Sequence, residues 1–426
     1  MVILAVFAAL VVLMALNVPI AIATAWAAIV GFALIEDLPL TVVVQRMFTG
    51  INSFTLLAIP LFILTGRLMA LGGITNDLIQ LSRSMVGFMR GGLAYINIVA
   101  SMFFAGITGS ATADTSSVGS ILIPAMEQKG YQKDFSVAVT ATSSTIGIMI
   151  PPSIPMVIYG VISGTSIGKL FLGGVIPGVM VGLILMAITA VLARRRGYPV
   201  EAPFDARATA KSFVKSIPPL TTVVIILGGI IFGVFTATEA AGVAALYSFL
   251  LGTLYYRELR LRDLPGIMLE VATITSMVAL MIATASALAW LLASQQVPQA
   301  MGDWLLGLTA NPYLILLLFN LLLLFVGTWL DLSPALIIFT PILLPIALEL
   351  GVDPVHFGVI MVVNLAIGLF TPPVGVCLFV ACGIAGISIT DSIRALIPFF
   401  LGLVAVLLVV TYVPPTVMLI PDLLMP

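Results

Sequence analysis

The chain has 426 residues, of which 61% are hydrophobic and only 8% charged, and its formal net charge is -1. A soluble domain carries about 25% charged residues because its surface faces water, so this composition excludes a soluble protein and indicates a polytopic membrane domain. Nucleic-acid binding has no support in the sequence. The glycine-rich stretch 87–92 lacks the lysine and hydroxyl of a phosphate-binding loop, which excludes an ATPase.

The apolar runs of the first half predict four crossings, one re-entrant hairpin and one discontinuous helix before the polar linker. The first run starts at Met1 without a basic region, so we expect a retained helix and not a removable signal peptide. A stretch with a small, polar middle, 92–127, predicts a re-entrant helical hairpin. Pro151 and Pro152 predict a discontinuous helix at 135–163. The remaining crossings are predicted at about 2–17, 19–35, 54–70 and 170–192.

The most polar segment runs from Arg194 to Lys215 and forms a linker between the two halves. By the positive-inside rule this linker is cytoplasmic. Counting crossings outward from it places every basic residue except Arg46 and Lys169 on the cytoplasmic side. Acidic residues, among them Glu36 and Asp37, then fall in outer loops. We therefore expect a multi-pass membrane protein with both termini in the periplasm.

The second half repeats the layout of the first. A second hairpin is predicted at 312–346 and a second discontinuous helix, around Pro372 and Pro373, at 356–385. Cys377 and Cys382 lie in this apolar stretch and are interpreted as small core residues, not as a disulfide or a metal pair. The other crossings are predicted at about 217–235, 237–256, 271–292 and 395–420.

A fixed offset of 221 residues relates the two halves. It pairs Pro151 with Pro372 and Pro177 with Pro398, among other helix breakers, without any gap. Breakers at one constant spacing indicate a duplicated unit, and an odd number of crossings per unit inverts the second copy. The predicted fold class is an all-α membrane protein with two inverted-topology repeats. The boundaries are 1–205 for the first repeat, 206–216 for the end of the cytoplasmic linker and 217–426 for the second repeat.

Four segments combine glycine, proline and hydroxyl residues where a plain spanning helix would have leucine and valine. Proline breaks release backbone carbonyls, and Na⁺ is a hard cation that takes oxygen ligands. The opposing half-helix N-termini suit a substrate carboxylate. The alternative is that these residues only kink tightly packed helices. The segments are 106–117, 142–153, 327–334 and 364–375.

Asp331 stands in an otherwise uncharged stretch of the second hairpin. A carboxylate at mid-bilayer costs about 2.5–3.5 kcal/mol on insertion scales unless it is partnered, and we propose a bound Na⁺ as the partner. Asp114 in the first hairpin follows the same logic. For both, a helix cap or an internal hydrogen bond is the alternative.

The stretches Gly106–Asp114, Pro151–Ser153 and Thr371–Gly375 resemble the large subunit of tripartite ATP-independent periplasmic (TRAP) transporters, the DctM or SiaM type. The resemblance covers essentially the whole chain. It implies Na⁺-driven uptake of a small organic anion by an elevator mechanism, in a fold similar to the ion transporter superfamily. It also implies two partners, a small four-helix membrane subunit of the DctQ type and a periplasmic binding protein of the DctP type.

The resemblance further implies positions for the two ions and the substrate. No organic cofactor is expected. The first Na⁺ is assigned to Ser110, Thr112, Gly147 and Pro151, and the second to Gly327, Asp331, Gly368 and Thr371. Substrate contacts are assigned to Ser143, Ser144, Pro152, Ser153, Pro372, Pro373 and Gly375.

Two other functions stay open from the sequence. A self-sufficient Na⁺/dicarboxylate symporter of similar architecture would need no binding protein. A non-transporting membrane scaffold or an intramembrane enzyme would use the hairpins only for packing. An enzyme with a serine nucleophile would have to use His356, the sole histidine, which the predicted topology places at the outer surface.

Overall fold

The computed structural model describes residues 2–35, 39–201, 203–309 and 311–425. Within these ranges the regular elements are helices, with no β-strand and one isolated bridge between Arg90 and Val200. The predicted all-α fold class is therefore confirmed. Glu36 and Asp37, predicted for an outer loop, lie outside the described residues.

The helices of the described residues fall into two sets, before and after the polar linker. The first set is α1 (Val2–Ala15), α2 (Ile20–Ala33), α3 (Thr41–Ile51), α4 (Ala58–Leu71), α5 (Ile74–Val86), α6 (Gly92–Thr108), α7 (Ala111–Gln128), α8 (Lys133–Ser143), α9 (Ile154–Ser163) and α10 (Ile167–Arg196). The second set is α11 (Ala206–Ile231), α12 (Ala237–Leu250), α13 (Leu264–Ser294), α14 (Val297–Leu308), α15 (Pro312–Trp329), α16 (Leu332–Glu349), α17 (Pro354–Gly368), α18 (Val376–Ala385), α19 (Ile389–Tyr412) and α20 (Pro415–Leu424).

Eight helical segments of the described chain are long and apolar enough to cross a membrane. The predicted crossings at 2–17 and 19–35 form shorter helices, α1 and α2, of 14 residues each. At 1.5 Å per residue each is about 21 Å long, and the two pack against each other. The eight segments are Phe54–Leu71, Ile167–Arg196, Ala206–Ile231, Ala237–Tyr255, Leu261–Ser294, Pro312–Trp329, Leu332–Glu349 and Ile389–Tyr412.

Helix bounds recur at the 221-residue offset. The bounds of α7 and α16 correspond residue for residue, and their N-cap residues are Ser110 and Asp331. The Pro151-Pro152 and Pro372-Pro373 peptide bonds are both cis. The two halves thus share local backbone geometry as well as sequence spacing. The inverted orientation of the halves stays a prediction.

Both predicted hairpins are pairs of packed helices joined by two residues. Gly109 and Ser110 join α6 to α7, and Leu330 and Asp331 join α15 to α16. Both predicted discontinuous helices are interrupted at their proline pairs, between α8 and α9 and between α17 and α18. The placement of the hairpins as re-entrant elements of a bilayer stays a prediction.

The structure differs from the sequence-based boundaries at several places: α3, α5 and α14 lie outside every predicted crossing, and the bounds of α11 and α19 are shifted. The predicted linker end, 206–216, is the start of α11, because Asp205 caps the helix by accepting the amide hydrogen of Arg207 at 2.8 Å. The predicted crossing at 395–420 ends at Tyr412, since Pro414 and Pro415 cannot donate to a continuing helix.

A cluster of ion pairs gathers the polar segments at one end of the molecule. Asp77 on α5 accepts from Lys215 at 2.7 Å and from the hydroxyl of Tyr256 at 2.8 Å. Burial raises the pKa of Tyr256, and the Asp77 carboxylate raises it further, so this hydroxyl stays a donor. Arg83 pairs with Glu201 at the same end.

Candidate functional site

The tip of the first hairpin rests on the first helix break. Gly109 has a φ of +61° and ends α6, and Ser110 accepts the amide hydrogen of Ala113 at 3.4 Å to cap α7. The hydroxyls of Ser110 and Thr112 lie 3.1 Å apart. A β-carbon on Gly109 would lie 2.7 Å from the carbonyl oxygen of Pro152. The absence of a side chain at Gly109 is what permits this approach.

The tip of the second hairpin is held against the second break by its backbone. A β-carbon on Gly368 would overlap the carbonyl group of Gly327, and the amide of Val374 donates to the carbonyl of Thr328 at 3.2 Å. Asp331 occupies the N-cap position of α16, but its carboxylate makes no capping hydrogen bond. The Asp331 carboxylate also lines the cavity described next.

Both tips line one cavity of about 310 Å³. Its other walls come from α4, α13 and the two broken helices. Among the lining residues, Arg67 and Asp331 carry the charges. The polar side chains at the cavity are those of Arg67, Thr108, Ser110, Thr112, Asp331 and Ser333.

The predicted ion ligands all lie at or near the tips. Ser110, Thr112 and Asp331 line the cavity. Gly147 packs on the first tip, since a β-carbon there would lie 3.5 Å from the carbonyl oxygen of Ser110. The hydroxyl of Thr371 donates to the carbonyl of Ile367 at 2.6 Å. Pro151, Gly327 and Gly368 contribute backbone at the same junctions.

The positions assigned to the substrate lie elsewhere, and none of them lines this cavity. Their serines are buried and bonded within the protein: Ser143 donates to the side-chain oxygen of Asn97 at 3.2 Å, and Ser144 to the carbonyl of Thr140 at 2.8 Å. Ser153 donates to the carbonyl of Ile148 at 2.5 Å. The hydrogen bonds of these serines stabilise the first helix break, where Pro152 also packs. Pro372, Pro373 and Gly375 lie in the second break.

Oxygen atoms form the polar lining that could hold a cation. Within the described residues there is no group of three or more His, Cys, Asp or Glu side chains, which is the arrangement that transition metals favour. The hydroxyls of Ser110 and Thr112 and the carboxylate of Asp331 are ligands of the type taken by hard cations. The cavity therefore fits an alkali cation better than a transition metal.

A family model described as "Tripartite ATP-independent periplasmic transporter, DctM component" matches residues 7–416. The chain belongs to this family. It is the large permease subunit of a TRAP transporter, a multi-pass membrane protein and not an enzyme. Membership implies a small membrane subunit and a periplasmic binding protein as partners.

Two relatives and one solved structure show the extent of the similarity. The isethionate TRAP transporter permease protein DctMQ of Oleidesulfovibrio alaskensis is 44% identical over 93% of this chain and 63% of its own. The sialic acid TRAP transporter large permease protein SiaM of Vibrio cholerae is 40% identical over 96% of this chain and 95% of its own. The YdaH transporter of Alcanivorax borkumensis is 16% identical with a TM-score of 0.62, covering 89% and 87% of the two chains, which shows a shared fold.

Asp114 of this TRAP permease is a buried carboxylate in a polar surrounding. Neither of its oxygens makes a hydrogen bond of normal geometry within the described part of the chain, although Ser101 and Ser144 are its neighbours. The amide of Asn97 donates to the hydroxyl of Thr140 at 2.6 Å close by. Asp114 is not the cap of α7, which is Ser110, and its role as an ion ligand stays a prediction.

Several buried or cavity-lining polar residues had no clear signal in the sequence. Arg67, one of the basic residues predicted for the cytoplasmic side, lines the cavity. Asn320 and Asn364 bond to each other at 2.9 Å and join α15 to α17. His356 is buried, with its ring nitrogen 2.8 Å from the carbonyl of Val410, and the side of the membrane on which it lies stays a prediction.

Replacing Gly109 with alanine is expected to reduce the thermal stability of the purified TRAP permease more than Gly130→Ala does. Both glycines have positive φ, +61° and +81°, so each alanine carries about 1–2 kcal/mol of backbone strain. Gly109→Ala additionally forces a β-carbon to within 2.7 Å of the Pro152 carbonyl oxygen, whereas nothing lies within 4 Å at Gly130. Thermal unfolding of the two variants in detergent measures the difference, and equal losses would contradict the tight contact at the first tip.

Proposed function

We propose that this TRAP permease couples the inward movement of Na⁺ to the uptake of a small organic anion delivered by the periplasmic binding protein. One observation carries the proposal: both hairpin tips and both helix breaks meet at a single cavity, which has oxygen ligands on one wall and a guanidinium on another. A symporter needs adjacent places for its ion and its substrate, and this arrangement supplies both.

The proposed ions bind at the two tips. Ser110 and Thr112 offer hydroxyl oxygens at the first tip, with backbone oxygens at Gly147 and Pro151. Asp331 offers its carboxylate at the second tip, with Thr371 and backbone oxygens at Gly327 and Gly368. The uncapped carboxylate of Asp331 supports this assignment, because a carboxylate within a membrane-spanning region needs a partner such as a cation.

The substrate class rests on the relatives and on the size of the cavity. The two relatives described above are named for isethionate and sialic acid, a sulfonate and a carboxylate, and both are small organic anions. A cavity of about 310 Å³ is within the range of small-molecule sites, about 300–1,000 Å³.

The packing of the hairpins and broken helices on each other supports a proposed elevator movement. The hairpins and broken helices form one body, in which α18 of the second half packs against α7 and α8 of the first. Lys133 on α8 donates to the carbonyl of Ala385 at the end of α18 at 2.7 Å. In the proposal this body slides against a scaffold of the other helices and a four-helix small subunit of the DctQ type.

The polar end of the molecule is proposed to face the cytoplasm. Arg83, Lys215 and the ion pairs around them gather there, and basic residues are enriched on the cytoplasmic side of membrane proteins. The linker 194–215 is then cytoplasmic, both termini are periplasmic and the protein lies in a bacterial inner membrane. The opposite face would receive a binding protein of the DctP type.

Reconstitution tests the proposal. The large and small subunits in liposomes should take up a radiolabelled organic acid only with the binding protein outside and an inward Na⁺ gradient. Succinate, isethionate and N-acetylneuraminate form the panel, and an equal K⁺ gradient is the control. Uptake by the large subunit alone would indicate a self-sufficient symporter instead, and uptake without a Na⁺ gradient would contradict the coupling.

A further inference from the structure

Arg67 contributes a positive charge to the lining of the cavity that Asp331 also lines. It lies on α4, next to Gly66, whose backbone approaches the first hairpin tip so closely that a β-carbon would lie 3.0 Å from the carbonyl oxygen of Thr108. The side chain of Arg67 is 34% exposed and lines the cavity. A guanidinium is thus fixed beside the proposed ion site, on a helix outside the hairpins.

Glu270 on α13 is the ion-pair partner of this guanidinium. One terminal nitrogen of Arg67 forms an ion pair with a carboxylate oxygen of Glu270, and Glu270 is not among the residues that line the cavity. Arginine has five N–H donors in a rigid fork. Within the described residues Glu270 is the carboxylate paired with Arg67, so further donors remain for a ligand in the cavity.

We propose that Arg67, which forms an ion pair with Glu270, selects for anionic substrates by binding their carboxylate or sulfonate group. The proposal rests on the proposed function, in which this cavity receives the transported solute. A planar fork matches two oxygens of one anionic group.

A structural ion pair between α4 and α13 is the competing explanation. In that case Glu270 would matter as much as Arg67, and the charge at Arg67 would not affect small ions that enter the cavity. An exposed pair of this kind contributes little to stability. The two explanations therefore differ in the effect of Arg67 on the chemistry of the cavity.

The test uses a reactive thiol in the cavity and needs no knowledge of the natural substrate. Ser333, which lines the cavity, is changed to cysteine in a background where the buried, free Cys377 and Cys382 are alanines. In the purified complex of large and small subunits, the modification rates are measured with an anionic sulfonatoethyl methanethiosulfonate and a cationic trimethylammonioethyl methanethiosulfonate. The ratio of the two rates reports the charge preference of the cavity.

Arg67→Gln should lower the anion-to-cation ratio by about tenfold, because a nearby charge dominates the local potential in a poorly hydrated space. Arg67→Lys should retain most of the ratio. Arg394→Gln, which removes an equally charged but exposed residue outside the cavity, is the matched control and should leave it unchanged. Glu270→Gln should not lower it, since the Arg67 charge remains.

An unchanged ratio in Arg67→Gln, or equal losses in Arg67→Gln and Glu270→Gln, would overturn the proposal, as would failure of both reagents to reach the cysteine. Transport gives a second readout: for the acid that the wild-type complex takes up, Arg67→Gln should raise KM by at least about tenfold while the Na⁺ dependence is unaltered. If the wild type transports none of the panel, the proposed function fails, and the rate ratio still decides the role of Arg67.

Discussion

Na⁺-driven uptake by the reconstituted complex is expected to be lost, or to require about 100-fold more Na⁺, in the Asp331→Asn variant. The carboxylate occupies the N-cap position of α16 without capping it and lines the shared cavity. Even residues that only support a metal ligand change metal affinity by about 10–100-fold, so removing the charge of a direct ligand should have at least that effect. The measurement is initial uptake against external Na⁺ concentration.

Asp303→Asn is the matched control for this variant. Asp303 is an exposed carboxylate on α14 that does not line the cavity, and its loss changes the net charge by the same amount. We expect wild-type Na⁺ dependence there. Normal Na⁺ dependence in Asp331→Asn, at normal levels of protein in the membrane, would remove Asp331 from the ion site.

Gly368→Ala is expected to abolish uptake and to lower the thermal stability of the complex. The added β-carbon would overlap the carbonyl oxygen of Gly327 and lie 2.6 Å from the carbonyl carbon and 2.8 Å from the α-carbon of the same residue. These are backbone atoms, which cannot turn aside as a flexible side chain can. Overpacking of this kind costs about 1–3 kcal/mol, and relief requires the second hairpin to move away from the second break. Unfolding temperature and uptake are measured together.

Gly383→Ala provides the comparison. Gly383 lies in α18, is exposed and has nothing within 4 Å of an added β-carbon. Alanine is favoured over glycine in a helix by about 1 kcal/mol, so this variant should be as stable as the wild type or more so and should transport. If Gly368→Ala is also as stable as the wild type and transports, the contact between Gly368 and Gly327 does not fix the second hairpin against the second break.

The helix breaks and hairpins could be predicted because their causes are local. Pro151 and Pro372 stand in the proline pairs at the two breaks, where they cannot donate to a continuing helix, and a constant spacing of 221 residues indicated a duplication without any knowledge of contacts. The hairpin tips and helix breaks that these signals marked line one cavity, and their role as ion and substrate sites stays a prediction. The extent of α11 and α19 was not predicted well, since a cap at Asp205 and a stop at Pro414 are small signals within polar or apolar runs.

The walls of the cavity could not be predicted, because they depend on packing between distant segments. Arg67 and Glu270 are about two hundred residues apart in the sequence, and no local pattern relates them. The hydrogen-bond partners of the serines assigned to the substrate also could not be predicted. Ser143 and Ser144 donate their hydroxyl hydrogens to Asn97 and Thr140. Composition identified polar segments and did not show which side of each helix faces the cavity.

Direct binding of ²²Na⁺ to the purified complex of large and small subunits tests the central claim, that the hairpin tips and helix breaks build a Na⁺ site. We expect saturable binding that unlabelled Na⁺ displaces and K⁺ does not, and that Asp331→Asn reduces while Asp303→Asn leaves it intact. Absence of saturable binding, or equal binding in the wild type and Asp331→Asn, would contradict the claim.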